Sequence, residues 1–353
     1  MAYTTVDNPE LYFQTKLWTG NGSTGTGQTG VGFQPDWVWI KARAGTQGTQ
    51  SNNLFDSVRG EGKYLFSDSN DAESTDTNRL TSFDSDGFTV GSNNAVNASS
   101  TTYVAWNWKA GTSFSNSAGA NGADLASSGS YNRTAGFSIV TFTGNATDDQ
   151  QIYHGLNSVP QMMILKNRTN GNNESWKVYH QAIGNTHALT LDTNAAASSN
   201  TEFWSDENPT STVFTVGRQD ATNGSGNTHV VYCFSEIKGY SKFGSYTGNG
   251  NSNGAFVYTG FRPAFIIIKN TARSDNWYLF DNKRGGFNVD NDFVFPDLSN
   301  AEVTSDQIDI LSNGFKCRSG NDAINSSGES IIYMTFAESP FVNSAGAVPN
   351  NAR

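Results

Sequence analysis

One serine lies in a spacing that hydrolases use for a nucleophile. Residues 250–254 read Gly-Asn-Ser-Asn-Gly, the nucleophile-elbow pattern in which the central serine attacks an acyl carbon. That chemistry requires a strand before the motif and a helix after it, so that the hydroxyl is exposed on a sharp turn. Here Ser252 lies in an Asn- and Gly-rich loop, and an apparent strand at residues 255–258 follows it. The context favours a simple turn.

Carboxylates and histidines are the other groups that could do chemistry. Residues 84–87 read Asp-Ser-Asp-Gly, like the start of a calcium loop, but no carboxylate follows at the twelfth position, so a turn is favoured over a weak calcium site. Glu202 and Asp206 are residue types that cleave glycosides, although sequence cannot set their separation. The histidines lack the spacing of zinc ligands and are His154, His180, His187 and His229. We therefore predict no catalytic residue, no metal site and no cofactor.

Aromatic side chains could bind sugars by stacking. Four tryptophans in apparent loops are candidates for this role, namely Trp18, Trp176, Trp204 and Trp277. Trp176 precedes Tyr179 by the same three residues that separate Trp277 from Phe280. Because recurrent aromatic residues also form cores, burial is the alternative interpretation.

Framework residues recur three times along the chain. Two landmarks set the register, a Thr-Gly-Asn triplet and a proline that precedes an apolar run ending in lysine. They recur at Thr19, Thr143 and Thr247, at Pro35, Pro160 and Pro263, and at Lys41, Lys166 and Lys269. Solenoid repeats are roughly 20 to 50 residues long, so this longer spacing predicts tandem small domains.

The repeat divides the chain into copies of roughly 100 residues, the size of a small domain. We predict an N-terminal arm at 1–13, β-sandwich repeats at 14–110, 136–240 and 241–340, and a C-terminal tail at 341–353. Residues 111–135 are low in charge and rich in Gly, Ser and Ala, a composition typical of a flexible linker.

Short alternating stretches between Gly- and Asn-rich segments predict strands. Residues 137–142 alternate, and Asp86-Gly87 and Asn313-Gly314 are turn signals directly before strands. No stretch sustains a helical period of 3.6 residues. The fold class is therefore predicted to be all-β, with three tandem β-sandwich or jelly-roll-like repeats.

One strand of each copy is apolar at consecutive positions, so both of its faces must be covered. These strands lie at residues 37–40, 162–165 and 265–268. A two-sheet sandwich covers one face only, which leaves a loop, the adjacent copy or a second subunit to cover the other. We therefore predict a homo-oligomer, with a trimer as one option. The aromatic and apolar residues of the arm are the predicted assembly contacts, namely Tyr3, Leu11, Tyr12 and Phe13.

Composition excludes several partners. The 353-residue chain has a net charge of -10 and a sequence pI near 4.8, whereas nucleic-acid binding needs clustered Lys and Arg. The first residues lack a basic region followed by an apolar stretch, and no run approaches 18 apolar residues. We expect neither a nucleic-acid partner nor membrane insertion. We expect the protein to be assembled in a host cytoplasm.

Eight stretches carry a family resemblance, and they are spread over residues 1–342. They are MAYTTVDNPELYFQ, LTSFDSDGFTVGS, YVAWNWKAG, GFSIVTFTGN, KGYSKFGSYTGNGN, VYTGFRPAFIIIKN, LSNGFKCR and IYMTFAESPFV. In these stretches the chain resembles repeat-containing structural proteins of tailed bacteriophages that infect marine bacteria. The resemblance implies a component of the virion, commonly described as a tail or fibre protein, and it provides no catalytic residues.

Three functions follow as expectations. The first is a tail fibre or receptor-binding subunit, which contacts other virion proteins and presents polar loops to host surface glycans. The second is a capsid decoration or knob protein that stabilises the shell. The third is a polysaccharide-degrading tailspike, and it is the least favoured because no carboxylate pair recurs in all three copies.

Overall fold

The fold is all-β, as predicted. The structure is a computed structural model that describes residues 3–169, 173–285, 288 and 290–347. Within these ranges, 27 strands are accompanied by three four-residue helices and by a 3-10 helix at Pro9–Leu11.

The elements fall into three consecutive groups. The first consists of β1 (Phe13–Thr19), β2 (Thr26–Thr29), β3 (Trp37–Ala44), β4 (Asn53–Asp56), β5 (Lys63–Phe66), β6 (Ser74–Thr75), β7 (Leu80–Asp84), β8 (Gly87–Val90), α1 (Asn94–Asn97) and β9 (Thr102–Trp108). The second consists of β10 (Thr112–Asn116), β11 (Ser127–Asn132), β12 (Phe137–Thr143), β13 (Gln150–Tyr153), β14 (Met162–Asn167), β15 (Lys177–His180), β16 (His187–Thr190), β17 (Ser198–Ser199), β18 (Val213–Val216), α2 (Asp220–Asn223) and β19 (Thr228–Phe234). The third consists of β20 (Ser241–Thr247), β21 (Phe256–Tyr258), β22 (Phe261–Asn270), β23 (Tyr278–Asp281), β24 (Asp290–Val294), β25 (Val303–Leu311), β26 (Gly314–Cys317), α3 (Asp322–Asn325) and β27 (Ser330–Pro340).

Each group forms one large antiparallel sheet. Sheet 1 has the order β1-β9-β3-β4-β5-β6, with β2-β8-β7 as a smaller sheet packed on it. Sheet 2 has the order β10-β11-β12-β19-β14-β15-β16-β17, with β13-β18 as its smaller sheet. Sheet 3 is continuous, with the order β20-β27-β22-β23-β24-β25-β26-β21. The order β1-β9-β3-β4 thus recurs as β12-β19-β14-β15 and as β20-β27-β22-β23. We call the three groups of elements the first, second and third copy; their origin as repeats and their boundaries stay predictions.

The doubly apolar strands β3, β14 and β22 lie between two cores. Trp37 and Trp39 face one apolar cluster that all three sheets share, the central core, while Val38 and Ile40 face a local core beneath sheet 1. β14 and β22 alternate in the same way. In β14, Met162 and Ile164 face the central core, and Met163 and Leu165 face the local core of sheet 2. In β22, Phe265 and Ile267 face the central core, and Ile266 and Ile268 face the local core of sheet 3. Both faces are therefore covered within one chain by its own copies.

Aromatic rings hold the central core together. Trp37 of sheet 1 stacks on Tyr232 of sheet 2 with ring centroids 4.3 Å apart, and Trp108 meets Phe265 of sheet 3 edge-on at 5.3 Å. Such pairs contribute about 0.5–1.5 kcal/mol each beyond the burial of their area. The three sheets are therefore packed directly against one another.

The segment predicted as a flexible linker is instead folded. Strands β10 and β11 pair with each other, and β11 pairs with β12, so that residues 112–116 and 127–132 extend sheet 2. Composition misled the prediction because Ser and Gly do not prevent strand pairing when a neighbouring edge offers backbone partners.

The Thr-Gly-Asn triplets lie where a large sheet meets its short helix. The glycines Gly20, Gly144 and Gly248 leave no space for a Cβ, which would lie 2.2–2.5 Å from carbonyl oxygens of Ala98, Gly224 and Ser326. The repeated glycine is explained by this close backbone approach.

Candidate functional site

Three lysines connect neighbouring sheets through hydrogen bonds. Lys41, Lys166 and Lys269, the landmark lysines, are buried. Their Nζ atoms donate to carbonyl oxygens of a different copy, namely Ser299 at 2.9 Å, Asn70 at 2.8 Å and Asn194 at 3.3 Å. Sheet 1 thus bonds to sheet 3, sheet 2 to sheet 1 and sheet 3 to sheet 2, which closes a ring. Burial lowers the pKa of each lysine to about 8, and a neighbouring carboxylate opposes this shift.

A second ring involves two of the tryptophans that were predicted to stack on sugars. Trp176 Nε1 donates to the carbonyl oxygen of Phe66 at 2.8 Å, and Trp277 Nε1 donates to that of Thr190 at 3.0 Å. Asn52 takes the same place in the first copy, and its Nδ2 donates to the carbonyl oxygen of Phe295 at 3.1 Å. These tryptophans connect sheets and are not available to a ligand.

Asp56, His180 and Asp281 end the equivalent strands β4, β15 and β23, and they also bond across the junctions. The Asp56 carboxylate accepts from the Tyr232 hydroxyl at 2.7 Å, and the Asp281 carboxylate accepts from Trp106 Nε1 at 2.9 Å. His180 Nε2 lies 3.3 Å from the Tyr333 carbonyl oxygen, and burial lowers its pKa to about 4, which keeps it neutral.

Within the part of the chain that the structure describes, buried ion pairs occur at two of the three junctions. Arg59 pairs with Asp56 and, at 3.1 Å, with Glu73, which lies 3.5 Å from Arg168 of the second copy. The junction between sheets 3 and 1 repeats this pattern. Arg284 pairs with Asp281 and, at 3.1 Å, with Glu302, which lies 2.7 Å from Arg43 of the first copy. Because the charges are buried and paired, losing one partner is strongly destabilising.

The remaining sugar-stacking candidates are also largely covered. Trp204 is 1% exposed, and its Nε1 donates to the His187 carbonyl oxygen at 3.2 Å. Trp18 is half-buried, because one ring face stacks on Tyr103 with centroids 5.2 Å apart. The prediction is therefore wrong for three candidates, because a sugar needs an exposed ring face and Trp176, Trp204 and Trp277 are at most 1% exposed. For Trp18 it stays a prediction.

The predicted assembly contacts have different surroundings. Phe13 is 2% exposed and lies in the central core against Phe265, so it is not a surface contact. Tyr12 packs on Tyr240 with centroids 6.0 Å apart, and Tyr3 Oη donates to the Gly260 carbonyl oxygen at 3.0 Å. Leu11 is 49% exposed and is the arm residue that remains available to a partner.

The sequence motifs for catalysis and calcium are turns. Ser252 is followed by β21 and not by a helix, as the turn interpretation predicted. The Asp86 carboxylate accepts from the backbone N–H groups of Gly30 and Gly32 at 3.0 and 2.6 Å, which fixes this turn against the loop after β2. Among the described residues, no group of three or more His, Cys, Asp or Glu side chains could hold a metal ion, and no helix has the length and apolar character of a membrane span.

An open groove lies at the junction of sheets 1 and 2, which we call the junction groove. Its volume of about 470 Å³ falls within the range of ligand sites, roughly 300–1,000 Å³. Sheet 1 contributes Val58, Arg59 and Lys63, and the folded linker strands contribute one wall. The other lining residues are Ser115, Asn116, Ser117, Ala126, Ser127, Ser128, Thr141, Phe142, Thr143, Arg168 and Thr228.

Hydroxyl groups and cations dominate this groove. The hydroxyls of Ser115, Ser117 and Thr143 and the Nζ of Lys63 make no hydrogen bond to another residue within the described ranges. Such free donors and acceptors suit a polyhydroxylated ligand.

Sequence reasoning missed the groove because the linker was expected to be flexible. Residues 112–116 and 127–132 read Thr-Ser-Phe-Ser-Asn and Ser-Ser-Gly-Ser-Tyr-Asn, which lack the strict alternation that predicts a strand. The sequence did not indicate that Lys63 and Arg168, 105 positions apart, line one cavity.

The fold and its junctions define an all-β protein of three interlocked sheets. The chain belongs to the family described as a domain of unknown function, DUF7483, whose profile matches residues 8–340. Comparison with curated proteins and with solved structures gave no match.

Proposed function

We propose that this protein is a structural component of a bacteriophage virion, and that it acts as a tail fibre or receptor-binding subunit. The observation that carries the proposal is the closed ring of contacts around the central core, because a display protein needs a rigid body from which its loops extend. The sequence resemblance to tailed-phage structural proteins supports the same class.

The junction groove supports adhesion over a purely architectural role. Free hydroxyls and the Lys63 ammonium offer hydrogen bonds to the hydroxyl groups of a host surface glycan. No step of bond cleavage belongs to this proposal, and we propose a binding protein and not an enzyme.

Two measurements test the proposal. Imaging of the intact particle with an antibody against this chain is expected to label the tail, in small multiples of three or six copies. Purified protein is expected to bind host cells and to compete with infection. Absence of both binding and competition would remove the adhesion role.

A capsid decoration protein is the second candidate, and the exposed Leu11 on the N-terminal arm favours it. An apolar side chain that is 49% exposed on an arm suits docking to a shell protein. Labelling spread over the capsid, at a copy number near that of the major capsid subunit, would select this alternative.

A further inference from the structure

The largest exposed aromatic side chains of the described residues lie on one edge strand. Phe256 and Tyr258 of β21 are 49% and 46% exposed, while Val257 between them is 5% exposed and packs into the local core of sheet 3. Side chains two positions apart on a strand share a face and lie about 6.8 Å apart. Strand β21 ends sheet 3, so its outer side has no strand neighbour in the sheet.

Cationic side chains surround these rings. Lys242 Nζ lies 5.6 Å from the centroid of the Tyr258 ring, and Lys316 is the cross-strand neighbour of Phe256. Tyr3 Oη lies 3.3 Å from Tyr258 Oη, and Lys238 Nζ lies 4.4 Å from the Tyr3 ring. We call this surface the aromatic–lysine patch, and its members are Tyr3, Lys238, Lys242, Phe256, Tyr258 and Lys316.

The shared framework does not require these aromatic residues. In sheet register, Phe256 pairs with Lys316 and Tyr258 pairs with Gly314. The corresponding positions are Gly27 and Thr29 in the first copy and Gln151 and Tyr153 in the second. The first copy therefore has neither aromatic residue and the second keeps only Tyr153, so the framework does not need the pair, and a binding role is left to explain it.

We infer that the aromatic–lysine patch binds an acidic polysaccharide of the host surface, one that carries uronic acid residues. This inference rests on the proposed adhesion function and names its ligand class. The C–H faces of two sugar rings would stack on Phe256 and Tyr258, and the carboxylates between them would pair with the lysines. The chain has a net charge of -10, so a polyanion is repelled elsewhere and attracted where Lys238, Lys242 and Lys316 outnumber two neighbouring carboxylates, Glu236 beside Lys242 and Asp309 opposite Lys316. Asp309 lies 3.4 Å from Arg318, which offsets its charge.

The first test measures binding of oligogalacturonate to the full-length protein, with dextran as the neutral probe. The double variant Phe256→Ser, Tyr258→Thr places small residues at the two positions that Gly27 and Thr29 occupy in the first copy. We expect it to bind oligogalacturonate at least ~10-fold more weakly, because each lost stacking contact removes about 1 kcal/mol or more. The matched control is Leu11→Ser, because Leu11 is equally exposed and lies outside the patch.

The results separate this inference from the proposed function. Unchanged affinity of the double variant, or no binding of oligogalacturonate by the wild-type protein, would overturn the inference. If the wild-type protein adheres to host cells in spite of either result, the adhesion function stands with a different site. If neither the wild-type protein nor the double variant adheres to host cells, the adhesion function itself fails.

A charge test completes the design. Lys242→Gln with Lys316→Gln is expected to weaken oligogalacturonate binding and to reduce its dependence on salt. Equal salt dependence in wild type and variant would contradict the pairing of these lysines with carboxylates.

A second copy of the chain is the alternative occupant of the patch. In that case the wild-type protein would self-associate at micromolar concentration without binding polysaccharide, and the Phe256→Ser, Tyr258→Thr variant would lose the self-association. This result would also overturn the inference.

Discussion

Asparagine explains the most conspicuous sequence repeat at the residue scale. Asn97, the last residue of α1, accepts from the backbone N–H of Asn21 at 3.1 Å, and its Nδ2 donates to the Asn21 side chain and to the Ser23 and Gly91 carbonyl oxygens. Asn223 and Asn325 make corresponding contacts with the other Thr-Gly-Asn turns. A buried amide whose donors and acceptor are all used fixes the turn to the helix.

Replacing this amide should therefore be costly. We expect Asn97→Ala to lower the free energy of unfolding by about 2–4 kcal/mol, since several buried backbone groups lose their partner. Asn94→Ala is the matched control in the same helix, because Asn94 is exposed, and it should change stability by less than about 0.5 kcal/mol. Urea unfolding followed by tryptophan fluorescence measures both, and equal effects of the two substitutions would contradict the role of Asn97.

Residue types alone could not show which aromatic side chains are buried between sheets and which are exposed. The sequence shows that Trp176 and Trp277 recur, and recurrence is compatible with both a core and a sugar platform. Their burial depends on sheets that are distant in sequence, as the bonds to Phe66 and Thr190 show. Phe256 and Tyr258 were placed on a strand by the sequence, but which face of that strand is exposed depends on the local core beneath Val257.

At the scale of elements, the sequence predicted the strands and the need to cover both faces of one of them. Consecutive apolar residues in β3, β14 and β22 indicate two buried faces, and the central and local cores provide them. The sequence could not show what covers the second face of these strands, because a loop, an adjacent copy and a second subunit bury apolar area equally well. The strand pairing of β10 and β11 was missed for a related reason: it depends on the free edge of β12.

The loop after β24 contains a buried, pH-sensitive carboxylate, that of Asp297. Asp297 Oδ1 accepts from the Trp277 N–H at 3.1 Å, while Oδ2 has no hydrogen-bond partner among the described residues. Burial raises the Asp297 pKa from 3.8 to about 7, with a further rise from Asp68 that Lys269 opposes. The folded state therefore holds this proton more tightly than the unfolded chain does.

The sign of the pH effect follows from this difference. The stabilising contribution of protonated Asp297 is full below about pH 4 and is lost as the pH rises through about 7. Asp297→Asn keeps the acceptor for Trp277 and removes the titration. We expect the wild-type melting temperature, relative to that of the variant, to fall between about pH 4.5 and about pH 8. A constant difference across this range would contradict a raised pKa.

At the scale of the whole molecule, three sheets form one body. The rings of bonds run from sheet 1 to sheet 3, from sheet 3 to sheet 2 and from sheet 2 to sheet 1, so each sheet both donates to and accepts from its neighbours. The homo-oligomer stays a prediction, but the doubly apolar strands no longer argue for it, because their faces are covered within the chain. Leu11 and the aromatic–lysine patch are the surfaces through which further partners would bind.

The central claim is that the three copies share one core and cannot unfold separately, and differential scanning calorimetry of the full-length protein tests it most directly. We predict a single transition whose calorimetric and van't Hoff enthalpies agree. Two or three resolved transitions, each with the enthalpy of one copy, would contradict a shared central core.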